Sequence, residues 1–337
     1  MRAVIQDGPG TLRLGELPDP APGPGEIVVR MLATGICGSD LHVYRSGAYG
    51  PGVVLGHELA GEVWALGADV DGIAVGDRGA VHGGRSCGVC ALCTDGLAYY
   101  CEESRGLGTA GAVGGLADFV VIPAGNLLPV GPGADPAAIS FAEPLANALR
   151  LLDRPEVGDA PTALIIGAGP IGLVSLIAAQ RRGVERIAVI EGRRRRRDAA
   201  RALGAECVLD PGDDVAGAVR AMFGAGPPIV IEAVGAPATV LQAMTLTRPG
   251  GSVFLMGVCA EPIPMNPFRW MRKELTIRTS IGTGRAEHAA ATALIAGGVV
   301  DAAPLITARV ALADAPDAFA ALAAGADEIK VVVEHER

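Results

Sequence analysis

Four of the seven cysteines, Cys87, Cys90, Cys93 and Cys101, fall in one stretch, SCGVCALCTDGLAYYC (86–101). Their order, C-x2-C-x2-C-x7-C, suits four thiolates that close a tetrahedral zinc shell; with no open position, such a shell stabilises a loop and admits no substrate. A redox C-x-x-C pair would employ two of them and strand the others. Cys207 and Cys259 stand alone and read as buried thiols. A second set is scattered: Cys37 in TGICGSDLH (34–42), His57 and Glu58 in LGHELAGEV (55–63), and Glu143 in FAEPLANAL (141–149). Mixed sulfur, nitrogen and oxygen donors suit a zinc that keeps a position for water or substrate. Each residue alone has a plainer reading, a core cysteine or a surface His–Glu pair, and spacing by itself does not join them.

A third constellation is IIGAGPIGL (165–173), which places Gly167, Gly169 and Gly172 in the order G-x-G-x-x-G after an apolar run and before a helical one. Glycines in that context allow a tight turn and close approach of a pyrophosphate to a helix N-terminus. Glu191 follows nineteen residues after Gly172, where a carboxylate can accept from ribose hydroxyls. Its charge favours NAD over NADP, whereas Arg193 and Arg194 stand where a 2′-phosphate could be bound. NAD is the first expectation and NADP the alternative.

The elements that must position these residues change character along the chain. Up to about 145 the sequence is rich in glycine, turns and short β-type runs, with strands expected at 26–36 and 58–66. From 160 strands alternate with helices. The strands are expected at 162–167, 186–191, 207–210, 228–235, 251–257 and 275–280, with a helix at 170–183 and another ending near Leu203. Such alternation implies right-handed βαβ units and a parallel sheet. The tail from about 286 reads as alanine-rich helix before a final strand at 329–334.

The chain has 337 residues, half of them hydrophobic, and a formal charge of −9. That balance disfavours general affinity for nucleic acid or an anionic membrane, and no apolar run approaches the length that crosses a bilayer. MRAVIQDGPGTLRL at the start lacks the apolar core of a signal peptide, so a cytoplasmic protein is expected. Reduced thiols in that compartment favour metal over disulfides for the cysteine cluster. Of 28 cationic side chains only Lys273 and Lys330 are lysines, and the arginine run 193–197 is read in part as compositional bias.

GHELAGEVWALGADV (56–70) resembles the zinc-site signature of the medium-chain zinc-dependent alcohol dehydrogenases. The cysteine cluster resembles that family's structural-zinc lobe, and GICGSDLH and the glycine fingerprint follow in the family's order, so the resemblance covers essentially the whole chain. It implies an α/β architecture: a GroES-like β-rich catalytic domain over 1–147, a Rossmann doubly wound parallel-sheet cofactor domain over 148–285, and a C-terminal return to the first domain over 286–337. It implies Cys37 and His57 as catalytic-zinc ligands, with Glu143 as the third, where the ethanol-metabolising members have cysteine. In the sorbitol, threonine and cyclitol branch, which the EPL context resembles, Glu58 also reaches the metal, directly or in exchange with water. Ser39 and His42 match the family's proton relay. Gly167, Gly169, Pro170, Ile171, Gly172 and Glu191 match its cofactor loop, and Arg196 an arginine lying against the adenosine.

The resemblance thus implies two zincs per chain, a nicotinamide cofactor, a homodimer or homotetramer, and hydride transfer between a secondary alcohol and NAD(P). A carboxylate in place of a thiolate makes the metal site harder and more polar, which favours a polyol, sugar or aminocyclitol. Threonine or a simple secondary alcohol is the alternative substrate. A reading of another class, an inactive zinc-containing binding protein on the same fold, predicts loss of some of Cys37, Ser39, His42, His57 and Glu143; none is missing.

Overall fold

The computed structural model describes residues 1–109 and 112–336. They form two compact units, one of Met1–Ala146 with the chain from Gly282 onward, the other of Asn147–Ile281.

The first unit is built on the long strand Glu26–Gly35, whose valines, isoleucine and methionine bury Ile27, Val29 and Met31 against Leu59, Val63, Val120 and Ile122. Seven strands make its main sheet, six of them ordered Leu127–Val130, Arg78–Val81, Glu58–Leu66, Glu26–Gly35, Lys330–Glu334, Ile306–Ala311. Phe119–Pro123 also pairs with Glu26–Gly35. Two registers matter for the site. Gly35 pairs with Glu58 on one side, and Thr34 with Val333 on the other. The strand that leads into Cys37 is thereby flanked by the strand that starts at Glu58 and by the chain's last strand.

The tail differs from its helical reading. Helices span Arg285–Ala296 and Ala315–Ala323, but ITARVA (306–311) between them is a strand, parallel to Lys330–Glu334. Its Ile, Thr and Val favour a pleated strand once a partner is available, and that partner lies some twenty residues later, beyond any local window.

The second unit holds a six-stranded sheet, all parallel, in the order Cys207–Leu209, Arg186–Ile190, Thr162–Ile166, Ile229–Glu232, Ser252–Leu255, Thr276–Thr279. Its middle strands are buried almost end to end, as expected where helices cover both faces. Strand order reverses between Thr162–Ile166 and Ile229–Glu232, and in doubly wound sheets the crevice at that reversal receives the ligand.

Candidate functional site

Cys37 caps a helix, Gly38–Ser46, that begins where the central strand of the first unit ends. Asp40 folds back on this cap: its Oδ2 accepts from Cys37 N at 3.0 Å, while its Oδ1 stands 3.2 Å from His57 Nδ1. Asp40 is 2% exposed. His57 arrives on the turn after Gly56, whose φ of +99° belongs to glycine and where a Cβ would stand 2.8 Å from Thr34 Cγ2. With Nδ1 held by a buried carboxylate, Nε2 is the nitrogen left to face a ligand, the arrangement that orients a metal-ligating histidine. Nε2 lies 3.4 Å from Ser39 Oγ. Burial works against a charge on His57, yet Asp40 and Cys37 outweigh it and hold the imidazole well above its usual range. A thiol and an imidazole fixed by a buried carboxylate, side by side at the helix start, form a donor set that fits a metal.

Glu58 lies elsewhere in the same constellation. Both its oxygens accept from Lys330 Nζ, at 2.7 and 2.6 Å, and Lys330 also donates to Ile36 O at 3.0 Å. Both side chains are about 1% exposed. Burial lowers the lysine's hold on its proton, but Glu58 and Cys37 reverse this and keep it raised. Glu58 is therefore already neutralised by an internal cation. Glu143, in the first turn of helix Ala142–Leu152, acts electrostatically on both Lys330 and Tyr99. His42 is exposed on its helix. Among the described residues, Cys37, His57, Glu58 and Glu143 do not converge as tightly as the cysteine cluster does.

That cluster is compact. One ligand atom from each of Cys87, Cys90, Cys93 and Cys101 lies within 4.8 Å of all the others; Cys87–Cys93, Cys90–Cys93 and Cys101–Cys87 sulfurs are 3.9, 3.5 and 3.5 Å apart. A zinc bound by four sulfurs at ~2.3 Å needs edges of about 3.8 Å, so the thiols fit it. Backbone amides of Val89 and Cys90 bring the Cys87 thiol down to about 7. A ribbon of Gly84–Arg85 and Arg105–Gly106 closes the base of this lobe. Cys207 and Cys259, expected to be buried, are partly exposed, because one lies on the edge strand of the second sheet and the other in the loop after Ser252–Leu255.

In the second unit Gly167 has φ +97° and Gly169 caps helix Pro170–Arg181, with Pro170 at its first position and Ile171 next. A Cβ on Gly172 would collide with the Gly167 carbonyl, so loop and helix meet backbone to backbone. Glu191 follows the strand Arg186–Ile190; its Oε2 accepts from Ala168 N and its Oε1 from Arg193 N, both at 2.8 Å. Arg196 Nη1 lies 3.6 Å from where a Gly169 Cβ would be, over the same loop. Arg197 is occupied structurally, donating to Glu191 O, Gly192 O and Asp210. A cradle that only glycine permits, opening a helix N-terminus, fits a dinucleotide.

Sequence reasoning passed over Asp40 and Lys330. Asp40 sits inside the quoted GICGSDLH, and a buried acid one residue from Ser39 was a readable orienter. Lys330 carried a fainter signal, as one of two lysines in an arginine-rich chain, set in the apolar run IKVVVE.

One unit with a parallel doubly wound sheet and a glycine cradle, and another, β-rich, with a four-cysteine lobe and a Cys–His–Asp cluster, define a dinucleotide-binding metalloprotein. Residues 23–132 match the alcohol dehydrogenase GroES-like domain and residues 170–297 the zinc-binding dehydrogenase domain. The chain is 32% identical to an L-threonine 3-dehydrogenase of Streptomyces avermitilis, over 96% of this chain and 97% of that one. It is also 32% identical to a sorbitol dehydrogenase of Arabidopsis thaliana, over 96% and 93%. A solved protein of Sinorhizobium meliloti 1021, assigned as a zinc-binding dehydrogenase and bound to NADP, superposes with a TM-score of 0.91 at 32% identity, covering 99% and 98% of the two chains. The chain belongs to the medium-chain zinc-dependent alcohol dehydrogenase family. Its activity is that of an NAD(P)-dependent alcohol oxidoreductase.

Proposed function

We propose that the chain interconverts a secondary alcohol of a polyol, sugar or aminocyclitol with its ketone, preferring NAD. The observation that carries this is the buried Asp40 clamp on His57 beside Cys37 and Ser39, which makes Nε2 a fixed donor. Cys37, His57 and Glu143 would hold the catalytic zinc, and the four lobe cysteines a second one. Glu58, engaged by Lys330, would reach the metal only by exchange. Bound zinc supplies a Lewis acid that acidifies an alcohol hydroxyl. Ser39 takes the hydroxyl proton, and the exposed His42 passes it to solvent. The glycine loop and Glu191 hold the nicotinamide dinucleotide, which supplies the hydride acceptor.

A carboxylate at 143 favours hydroxyl-rich substrates; similarity to L-threonine 3-dehydrogenases supports threonine as the second reading. A screen of purified enzyme with polyols, aminocyclitols and threonine, with NAD and NADP, read at the nicotinamide absorbance, separates them. Turnover of threonine alone overturns the first reading. Glu191→Ala should narrow the NAD preference by about tenfold, having removed a charge that repels a 2′-phosphate; an unaltered enzyme that favours NADP refutes this assignment.

The protein would work in the cytoplasm as a homodimer or homotetramer. Supporting assembly, the edge strand Thr276–Thr279 is exposed at every residue, and Met265, Phe268, Met271 and Ile281 nearby are at least half exposed. Native mass spectrometry showing only monomer would refute it.

A further inference from the structure

The strand Ile229–Glu232 ends in a carboxylate that the second unit encloses completely, Glu232 being 0% exposed. Its Oε1 accepts from Val234 N and Gly235 N, both at 2.9 Å, and from Thr239 Oγ1 at 2.7 Å. Its Oε2 has no hydrogen-bond partner among the described residues. The two backbone amides can only donate, which suits a carboxylate; the Thr239 hydroxyl divides its one hydrogen between Oε1 and Ala236 O. None of the three is a cation. A buried charge left in this condition is costly to the fold, and that cost invites a functional explanation.

Its position supplies one. Ile229–Glu232 borders the reversal of strand order, so its carboxyl end faces the crevice that receives the dinucleotide. Val234, half exposed, brings Cγ2 to 2.6 Å from where a Cβ on Gly167 would stand. After the next strand, a Cβ on Gly257 would lie 2.7 Å from Glu232 Oε2 and would collide with Gly235. A Cβ on Gly235 would in turn lie 2.5 Å from Val258 O. The loops after Ile229–Glu232 and Ser252–Leu255 thus close over the carboxylate using glycine, and they leave the half-exposed Val234 and Val258 beside the crevice.

We propose that Glu232 is an electrostatic bias on the bound cofactor: its uncompensated negative charge favours the oxidised, cationic nicotinamide over the reduced, neutral one. When hydride moves from the alcohol carbon to the ring, the ring loses its positive charge, and the alcohol's proton leaves by the relay. A buried anion nearby stabilises only the charged side of that exchange, and a low-dielectric interior transmits the effect. The bias opposes hydride acceptance on the protein and assists hydride release, so it favours ketone reduction in the bound complex. The proposal rests on the family's nicotinamide cofactor and not on the substrate reading, so a failed alcohol screen leaves it standing.

The test is equilibrium binding of NAD+ and NADH to the zinc-loaded enzyme, by calorimetry and NADH fluorescence. Glu232→Gln keeps the side chain's shape and removes its charge. The dissociation constant for NAD+ should rise about tenfold, while that for NADH stays within about twofold. Thr239→Val removes one donor from Oε1 and keeps the charge; it should preserve or increase the preference for NAD+, and it tests the idea even where the glutamine variant fails to fold. Equal weakening of both cofactor forms in Glu232→Gln, an unchanged ratio, or a lowered NAD+ preference in Thr239→Val overturns the proposal.

Discussion

Cys87, Cys90, Cys93 and Cys101 come from one loop closed by a short ribbon, whereas Cys37, His57, Glu58 and Glu143 come from a helix cap, a glycine turn, a strand start and a helix start. The lobe's donors face one another, all within 4.8 Å, and little beyond the ion would order them. The dispersed set is held by other contacts: Asp40 grips His57, and Lys330 grips Glu58. A metal that builds its own loop should be needed for folding, while a metal received by a finished scaffold should be needed only for chemistry.

The largest effect should come from the lobe. Cys90→Ser should remove one of two zincs per chain and lower Tm by on the order of 10 °C, because a structural zinc contributes folding energy directly. His57→Ala should remove the other zinc and abolish turnover while lowering Tm less than Cys90→Ser does. Metal analysis with calorimetry decides; the contrast fails if His57→Ala unfolds the chain and Cys90→Ser does not.

Next in size is the buried ion pair. Lys330→Met leaves Glu58 charged and enclosed, and should cost about 3–5 kcal/mol by chemical denaturation. Adding Glu58→Gln should recover most of this without loss of zinc, since both Glu58 oxygens already accept from Lys330. Loss of the catalytic zinc in the double variant would make Glu58 a ligand.

Asp40→Asn should weaken zinc at the dispersed site by about 10–100-fold while the lobe zinc stays, as measured by competition with a chromophoric chelator. Equal weakening at both sites would mean that Asp40 supports the unit as a whole and not the His57 donor.

A separate effect, spread over pH, is acid sensitivity of the returning tail. Burial, with His82 adding to it, pushes His288 down to about 3; burial also pushes His335 down to about 4. Both are neutral when folded and protonate more readily when unfolded, so stability is complete above about 6.5 and falls as pH drops from there toward 4. Each should contribute up to about 1.4 kcal/mol per pH unit in that window. Denaturation between pH 7.5 and 5 should show the slope, and His335→Gln should flatten it; an unchanged slope removes His335 from the account.

Much of this was readable in the chain. The glycine loop was legible because an apolar strand, three spaced glycines and a following acid are contiguous, and so was the cysteine lobe, whose donors need no distant partner. ITARVA was misread as helix because alanine-rich surroundings favour helix locally, while its pairing strand is Lys330–Glu334. Cys207 and Cys259 were misjudged because a lone cysteine carries no information about which strand edge or loop receives it.

The sequence by itself determined which donors exist, that four of them share one loop, and where the glycine cradle opens a helix, since each of these depends on neighbours within a turn or two. Only the tertiary structure decided that Asp40 orients His57 across seventeen residues, and that Lys330 crosses 272 residues to occupy Glu58. Sheet order likewise placed Glu232 at the rim of the crevice. Electrostatic partnership between buried groups falls steeply with distance and with exposure, and neither quantity exists until the strands have paired.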